Sequence, residues 1–365
     1  MSTLRRSLSA PANAVARTAL RPLPLAFWKA VFPKDVVALC YHAISDERLP
    51  HVRLYPYKTP QQFRDDLDSL DGRFVTYREL LEQRLRGAAP RRNAAFVTFD
   101  DGFAECFGVA RTILLERRID AAFFITTDFI DDRRLFFESA LSLCIDRVEH
   151  APSAQVADWL RRLQRARLGR DPASRALARS RLRDLGVRGS GRPARGRLIR
   201  RLMGLGAHNV AEIERACELI GIDGAPPPLE RRRFVTAAQV RRLADDGFTV
   251  GAHGLGHRNL QGLSPREIED EIVRCCTRVA ELTNRARVPF AFPYSGLQVD
   301  RGFLGDLMQR HPVIELIFDS GGLRRDPPFV VNRVFADHPP RGSRSEIADL
   351  LRSSWTIPSA WHRGT

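Results

Sequence analysis

The sequence predicts an α/β fold built on a parallel sheet or barrel and interrupted by a helical insertion. Two observations support this prediction. Short apolar runs alternate with helical patterns along the chain, and the alternation stops near residue 126 and resumes near residue 234. Such alternation is typical of parallel strands, because each crossover between them requires a connecting element such as a helix. A chain of 365 residues with 44% hydrophobic content has enough material for one large domain or two modest ones.

The first stretch of alternation covers residues 36–126. Continuous apolar runs, the pattern of strands buried on both faces, predict strands at Val36–His42, Phe74–Thr76, Ala94–Phe99 and Ala121–Thr126. A helix is predicted to begin after Thr59, which is followed by Pro60 at the first helical position and by Gln62 three residues after the cap. Two more helices are predicted at Arg78–Arg86 and near Phe107–Arg117.

Residues 129–231 break the pattern and are predicted to form a helical insertion. The segment is rich in Arg and Ala, and apolar residues recur at helical spacing at Leu160, Leu163 and Leu168, and again at Leu198 and Leu202. Two roles remain open for it. It is either a cap over an active site or a peripheral, purely structural excursion.

The alternation resumes with a helix predicted to begin at Thr236. A longer helix is predicted after Ser264, because the sequence Ser264-Pro265-Arg266-Glu267 has the pattern of a capping box. Four further strands complete the set, at Phe248–His253, Val288–Tyr294, Ile314–Asp319 and Phe329–Phe335.

Two motifs follow predicted strands and carry the chemistry. The first is Thr98-Phe99-Asp100-Asp101-Gly102, and the second is His253-Gly254-Leu255-Gly256-His257. Alone, an Asp-Asp-Gly triplet is typical of a turn, and an isolated H-x-x-x-H pair is often a surface accident. Together, at strand ends where parallel α/β folds place their chemistry, they indicate a metal site with two imidazoles and one carboxylate. A second carboxylate beside the ligand can take a proton from water.

These residues resemble the motifs of the polysaccharide deacetylases of the NodB-homology type, also called carbohydrate esterase family 4. The segment Phe290–Gly296 looks like the third motif of that family, and Leu39-Cys40-Tyr41-His42 resembles a Tyr-His at the end of the first strand in one branch. The resemblance covers about residues 36–128 and 234–338. It implies a distorted (β/α) barrel of seven to eight mostly parallel strands.

The predicted organisation follows from that barrel. It comprises an N-terminal extension at 1–33, a NodB-like barrel at 34–128 and 232–342, the helical insertion at 129–231, and a C-terminal helix and tail at 343–365.

The resemblance also implies a role for each site residue. Asp101, His253 and His257 are the expected ligands of one divalent metal ion, and Asp100 is the expected general base. Imidazole and carboxylate ligands suit zinc first, with cobalt, nickel and manganese as alternatives. The backbone N–H near Tyr294 is expected to face the oxyanion.

The sequence departs from the family pattern at three places. The third motif often has an Arg two residues before its Pro, where this chain has Ala291, and the fourth motif is at best Asp319-Ser320 without a Trp. The general acid has no clean match. His338, after the last strand, is the expected acid, with His42 or a water molecule as the alternative. His42 is also expected to line the site and Arg333 to orient Asp100.

The function expected from these residues is metal-dependent hydrolysis. The hydrolase would remove N-acetyl groups, with O-acetyl groups as an alternative, from a GlcNAc-type polysaccharide or oligosaccharide or from a lipid-linked precursor. The second hypothesis is a catalytically impaired glycan-binding protein that keeps the metal site. The net charge of +15 suggests a third, nucleic-acid binding, but no run of basic residues interleaved with aromatics supports it, so no nucleic-acid partner is expected.

Location is inferred from the ends of the chain and from its cysteines. No apolar run of signal-peptide or membrane-span length is present, so the protein is expected to be cytoplasmic. The basic, Trp-containing segment Ala16–Phe32 offers a peripheral membrane contact, although a packed helix is the commoner outcome. Six cysteines without a C-x-x-C pair indicate buried thiols in a reducing compartment.

Overall fold

The computed structural model describes residues 36–70, 73–88, 94–169, 172–184, 193–206, 209–222, 227, 232–322, 324 and 326–337. The N-terminal extension, including the segment Ala16–Phe32, and the C-terminal segment 343–365 lie outside the described residues, so the predictions made for them stay predictions. In the described part of the chain, no helix combines the length and apolar character that crossing a bilayer requires.

Seven parallel strands form a closed barrel in the order in which they occur along the chain. The strands are β1 (Val37–Tyr41), β2 (Ala95–Phe99), β3 (Ala121–Ile125), β4 (Thr249–Ala252), β5 (Val288–Ala291), β6 (Ile314–Asp319) and β7 (Val330–Phe335). Strand β1 pairs with both β2 and β7, which closes the barrel. The predicted fold class is therefore confirmed, with seven strands. Phe74 makes only an isolated bridge to Ala95, so the short strand predicted there is wrong.

Alternating side chains of the strands fill two different cores. One set, which includes Ala38, Phe96, Phe124 and Phe318, packs inside the barrel. The other set faces outward and packs against the surrounding helices. Because both faces of each strand are buried, the strands read as nearly continuous apolar runs in the sequence.

Three helices accompany the first strands of the barrel. They are α1 (Pro60–Ser69), α2 (Tyr77–Arg86) and α3 (Arg111–Arg117), and a π-helical turn at Cys106–Ala110 precedes α3. Thr59 and Thr76 close full capping boxes at the starts of α1 and α2. The cap predicted at Thr59 is confirmed.

Within the described residues of the segment 129–231, five helices form the insertion. They are α4 (Phe137–His150), α5 (Ser153–Arg165), α6 (Pro172–Asp184), α7 (Pro193–Leu202) and α8 (Val210–Ile220). A short 3-10 segment at Thr127–Asp132 leads into them. The insertion has its own apolar cluster, which contains Leu160, Leu163, Leu168, Leu198 and Leu202 and also takes in Leu54 from the loop after β1. No strand occurs among the described residues of the segment 129–231.

Three more helices of the described residues lie in the second half of the barrel. They are α9 (Ala237–Asp245), α10 (Pro265–Thr283) and α11 (Arg301–Arg310). Thr236 and Ser264 form capping boxes at the starts of α9 and α10, as the sequence predicts. All six cysteines are free, and five of them are buried.

Candidate active site

The strand register brings the chemical residues to one end of the barrel. Tyr41 of β1 pairs with Phe99 of β2, so His42 and Asp100 follow at the same level. Cys40 of β1 pairs with Phe335 of β7, which places Asp337 level with His42. These are the carboxyl ends of parallel strands, where α/β barrels gather functional groups.

Three side chains converge in the manner of a metal site. The Nε2 atom of His257 lies 3.1 Å from Oδ1 of Asp101, and the Nε2 atom of His253 lies 3.4 Å from the same oxygen. One ligand atom from each of these three buried residues falls within 4.8 Å of the others. The cluster predicted from the two motifs is therefore assembled in space.

Neighbouring groups fix the orientation of the cluster. Nδ1 of His253 lies 2.9 Å from the carbonyl oxygen of Ala291, which leaves Nε2 directed at the cluster. Glu271, buried on α10, accepts hydrogen bonds from the backbone N–H groups of Leu255 and Gly256 and so holds the loop between the two histidines. The residue that closes that loop, His257, has a left-handed backbone with φ of 57°.

The donor set fits a divalent metal ion. Oδ1 of Asp101 is buried and has no hydrogen-bond partner among the described residues. Ligand atoms bound tetrahedrally to zinc at about 2.1 Å stand about 3.4 Å apart, which matches the separations between this oxygen and the imidazole nitrogens. Burial raises the pKa of Asp101, but His257 and His253 outweigh it and bring that pKa well below its usual value. The carboxylate is thus ready to act as a ligand.

The side chain of Arg333 lies in the barrel interior and contacts Asp100. Its Nη1 donates to Oδ1 of Asp100 at 2.5 Å and its Nη2 donates to Oδ2 at 2.7 Å, so the pair is bidentate. Both residues are buried. Burial raises the pKa of Asp100, yet the guanidinium and His253 more than compensate, and the net pKa is below its usual value. Asp100 is therefore an ionised, rigidly held carboxylate whose Oδ2 lies 3.7 Å from Nε2 of His253.

His42 forms a tight pair with Asp337. Its Nδ1 lies 2.5 Å from Oδ2 of Asp337, and its backbone N–H donates to Oδ1 of the same carboxylate. Burial lowers the pKa of His42, but Asp337, with smaller contributions from Asp101 and Asp100, outweighs it and brings the net value to about 9. The ring nitrogens of His42 include one within 4.8 Å of a carboxylate oxygen of Asp100. The imidazolium consequently lies beside the carboxylate that faces the metal cluster.

Cys40, His42 and Asp100 also satisfy the spacing of a metal site, but their chemistry argues against one. Burial raises the pKa of Cys40 well above its usual value, so it remains a thiol, and it donates to Oδ2 of Asp100 at 3.3 Å. A thiol is a poor metal ligand compared with a thiolate. His42 and Asp100 are already engaged by Asp337 and Arg333.

Tyr294 packs on the metal cluster from the loop after β5. Its ring lies 4.8 Å from that of His257, and its φ of 57° is left-handed, a conformation that costs a bulky residue about 1–3 kcal/mol. Asp319, buried at the end of β6, accepts from the Ser295 hydroxyl and the Gly296 N–H. Asp319, which the sequence analysis matched to the fourth motif, therefore supports the loop that carries Tyr294.

Residues 221–302 match the family model described as polysaccharide deacetylase. The resemblance to the polysaccharide deacetylases is confirmed. The match also confirms the predicted class of enzyme, a deacetylase-type hydrolase that acts on amide bonds. No curated protein sequence matches the chain.

Solved structures with related shapes are also deacetylases by their descriptions. The chain is similar to the deacetylase PplD of Streptococcus pyogenes in complex with acetate, with 12% identity, coverage of 82% of this chain and 90% of that one, and a TM-score of 0.46. It is similar to IcaB from Ammonifex degensii, with 14% identity, coverage of 89% and 98%, and a TM-score of 0.48. A de-N-acetylase from Aggregatibacter actinomycetemcomitans gives 13% identity, coverage of 87% and 99%, and a TM-score of 0.48. These TM-scores are low, so the roles of the residues are inferred from the geometry of the site and not from these structures.

The structure brings most of the residues predicted from sequence together. Seven of the eight converge at the barrel mouth: Asp100, Asp101, His253, His257, Tyr294, His42 and Arg333. The eighth, His338, lies outside the described residues. Arg333 contacts Asp100 from β7, although the third-motif position that often carries an Arg in the family is Ala291 here.

Two residues of the site escaped the sequence analysis. Asp337 is the partner of His42, and its signal was its place two residues beyond the last strand. Tyr55 donates to Oδ2 of Asp101 at 3.3 Å, and nothing in the sequence around it distinguishes it from an ordinary loop tyrosine.

Proposed function

We propose that this protein is a metal-dependent deacetylase that removes N-acetyl groups from a GlcNAc-type polysaccharide, oligosaccharide or lipid-linked precursor. The observation that carries the proposal is one carboxylate, Asp100, placed between a three-ligand cluster and an imidazolium. In this arrangement the carboxylate of Asp100 serves as a base beside the three-ligand cluster, and the imidazolium of His42 serves as an acid. The match of residues 221–302 to the polysaccharide deacetylases supports the acetylated carbohydrate as substrate.

Asp101, His253 and His257 are proposed to hold one divalent ion, with zinc as the first choice and cobalt, nickel or manganese as alternatives. An ion held there would lower the pKa of a water molecule at the site and would polarise the acetyl carbonyl. Three protein ligands leave coordination positions open, which is the pattern of catalytic rather than structural sites.

Asp100 is proposed to be the general base. Its Oδ2 is the oxygen nearer to His253, and Arg333 fixes the carboxylate plane through both oxygens. This oxygen takes a proton from the attacking water while the water oxygen bonds to the acetyl carbon. The backbone N–H of Tyr294 is proposed to donate to the oxygen that becomes negative.

His42 is proposed to be the general acid, in place of His338. Asp337 occupies Nδ1 of His42, so Nε2 is the nitrogen left to deliver a proton. With a pKa of about 9, the ring is protonated at neutral pH. It donates to the amine nitrogen as the C–N bond breaks, and acetate and a free amine are released. This acid also weakens the alternative of a catalytically impaired glycan-binding protein.

Acetate release from penta-N-acetylchitopentaose by metal-loaded protein tests the proposal. Asp100→Asn should retain the metal but lose about 10²–10⁴-fold in rate, because Asn keeps the size of Asp and cannot accept the proton. Asp270→Asn, on the exposed face of α10, is the matched control and should keep full activity. No acetate from any acetylated sugar in a panel would contradict the function. Loss of metal from Asp100→Asn would reverse the roles of Asp100 and Asp101.

A further inference from the structure

Two cysteines of the insertion meet where helices α4 and α8 pack together. Cys144 of α4 is fully buried in the apolar cluster of the insertion. Cys217 of α8 packs against the same cluster but remains partly exposed. Their Sγ atoms lie 3.5 Å apart, although the two residues are 73 positions apart in the chain. Both are free thiols in this structure, and they are in direct contact.

Hydrogen bonds hold the two helices together beside this pair. The Nη1 atom of Arg147, one turn beyond Cys144, donates to the carbonyl oxygen of Gly221 at the end of α8 at 2.9 Å. The N–H of Ile222 donates to the carbonyl oxygen of Cys217 at 2.8 Å. The two thiols therefore meet at a packed contact between helices. A disulfide bond of about 2.05 Å requires the sulfur atoms to approach by about 1.5 Å, a displacement that both side chains share.

The two thiols differ in access and in acidity. Cys217 is the thiol that a reagent in solution can reach, because Cys144 has no exposed surface. The hydrogen bond from the Cys144 thiol lowers the pKa of Cys217, although burial works against it. The same contact raises the pKa of Cys144, and burial adds to that rise. Since the thiolate is the nucleophile in thiol–disulfide exchange, Cys217 is suited to attack first and Cys144 to follow.

We propose that Cys144 and Cys217 form a redox-responsive cross-linking site that a small disulfide, such as oxidised glutathione, converts to a disulfide bond. The sulfur of Cys217 attacks one sulfur of oxidised glutathione, whose S–S bond breaks, and one glutathione leaves. The sulfur of Cys144 then attacks the Cys217 sulfur of this mixed disulfide, and the second glutathione leaves. Two protein thiols are thereby oxidised and one glutathione disulfide is reduced. The two protons of the cysteines are balanced by those that the departing glutathione sulfurs take up.

The cross-link would join α8 to the helix that borders the proposed metal cluster. Helix α4 begins after Phe136, whose ring lies 4.6 Å from the ring of His257, and Cys144 is two turns further along the same helix. The bond would also close a long loop, because the two cysteines are 73 positions apart. Closing a long loop restricts the unfolded chain strongly. Oxidation should therefore stabilise the folded protein.

The test incubates the full chain with mixtures of oxidised and reduced glutathione and then alkylates the remaining thiols in denaturant. Excess oxidised glutathione should remove two of the six free thiols, and peptide mass spectrometry should find Cys144 linked to Cys217. The melting temperature should rise by several degrees and should return after treatment with dithiothreitol. Cys217→Ser and Cys144→Ala should each abolish both the link and the rise. Cys276→Ala, which removes a buried thiol of α10, is the matched control and should still form the link.

Three results would overturn the cross-linking site. Six free thiols at every glutathione ratio would show that the pair does not react. A lasting mixed disulfide at Cys217 would show that Cys144 cannot displace glutathione. A link that forms only in urea would show that unfolding, and not the native contact, brings the sulfur atoms together. Cys217→Ser should melt with the reduced native protein, which shows that its missing link is not a failure to fold, and none of these measurements depends on acetate release.

Discussion

Replacing Asp337 by Asn should move the high-pH limit of activity toward neutral pH. In the native protein this carboxylate holds His42 through the ring Nδ1 and the backbone N–H. The pKa of His42 is raised, so its protonated form is available below about pH 9 and is lost as the pH rises through that value. Asn removes the charge but keeps the size of the side chain, so the pKa of His42 should fall.

The size of the effect follows from the pKa of His42. The rise from the ordinary value of 6.5 to about 9 corresponds to roughly 3 kcal/mol in favour of the imidazolium. Asp337 is the main group that raises this pKa against burial, so without it the pKa should fall back toward the ordinary value of 6.5. At pH 7.5 about 97% of the native His42 would carry its proton, against about 9% in a variant whose pKa has returned to 6.5. Turnover at that pH should therefore drop up to about tenfold.

The assay is acetate release from an acetylated chito-oligosaccharide by metal-saturated protein, measured between about pH 5.5 and pH 10. A bound cation lowers the pKa of His42 in both proteins, so the tested quantity is the difference between their alkaline limits. That difference should be about two pH units. Asp337→Glu restores the charge and should recover most of the native profile, while Asp270→Asn should leave the profile unchanged.

Coincident alkaline limits for the native protein and Asp337→Asn would refute the reasoning. His42 would then not be the group whose proton is consumed in the reaction. A uniform loss at every pH, without a shift of the limit, would assign Asp337 a role in positioning alone.

Three further predictions concern the metal, the base and stability. His253→Ala should reduce the metal content from about one ion per chain to near zero, and equal occupancy by elemental analysis would contradict the ligand set. Arg333→Gln removes the main charge that lowers the pKa of Asp100, so the acidic limit of activity should move to higher pH; an unchanged limit would contradict this. Asp66→Ala removes the carboxylate that pairs with buried Lys58 and should lower the free energy of unfolding by about 3–5 kcal/mol in urea titrations. An unchanged midpoint would show that Lys58 is stabilised by other groups.

The barrel was predictable because its signals are local. Each strand is a short apolar run, and Thr59, Thr236 and Ser264 mark helix starts through contacts within three residues. The cluster of Asp101, His253 and His257 was predictable for a related reason. Asp101 and His253 come within two residues of the ends of β2 and β4, and parallel strands place such residues at the same end of a barrel.

The pairing of His42 with Asp337 was not predictable in the same way. The two residues are 295 positions apart, and they meet only because β7 closes the barrel against β1. The sequence analysis found the end of the last strand and placed the acid at His338, one residue further on, a prediction that falls outside the described residues. Without the register of β1 on β7, nothing in the sequence shows that Asp337 is level with His42.

The contribution of the insertion to the site was even harder to predict from the sequence. Helical periodicity predicts α5 and α7, but the direction in which the insertion folds back depends on contacts between distant segments. The insertion contacts the site where the ring of Phe136 packs on that of His257, and Leu54 enters the cluster of the insertion. These contacts depend on the fit between two surfaces, to which many residues contribute. No short sequence motif predicts such a fit.

The junction between β1 and β7 holds one group of the proposed catalytic residues. The proposed metal ligands follow β2 and β4, which β3 joins, whereas His42, Asp337 and Arg333 all belong to the junction itself. A local opening of this junction would part His42 from Asp337 and would also pull Arg333 from Asp100, while the strands that precede the three proposed ligands stayed intact. In the proposed mechanism, proton transfer therefore depends on the contact between the first and last strands of the barrel. Along the chain, the three-ligand cluster ends at His257, whereas Arg333 and Asp337, which orient the proposed base and acid, come only with the final strand.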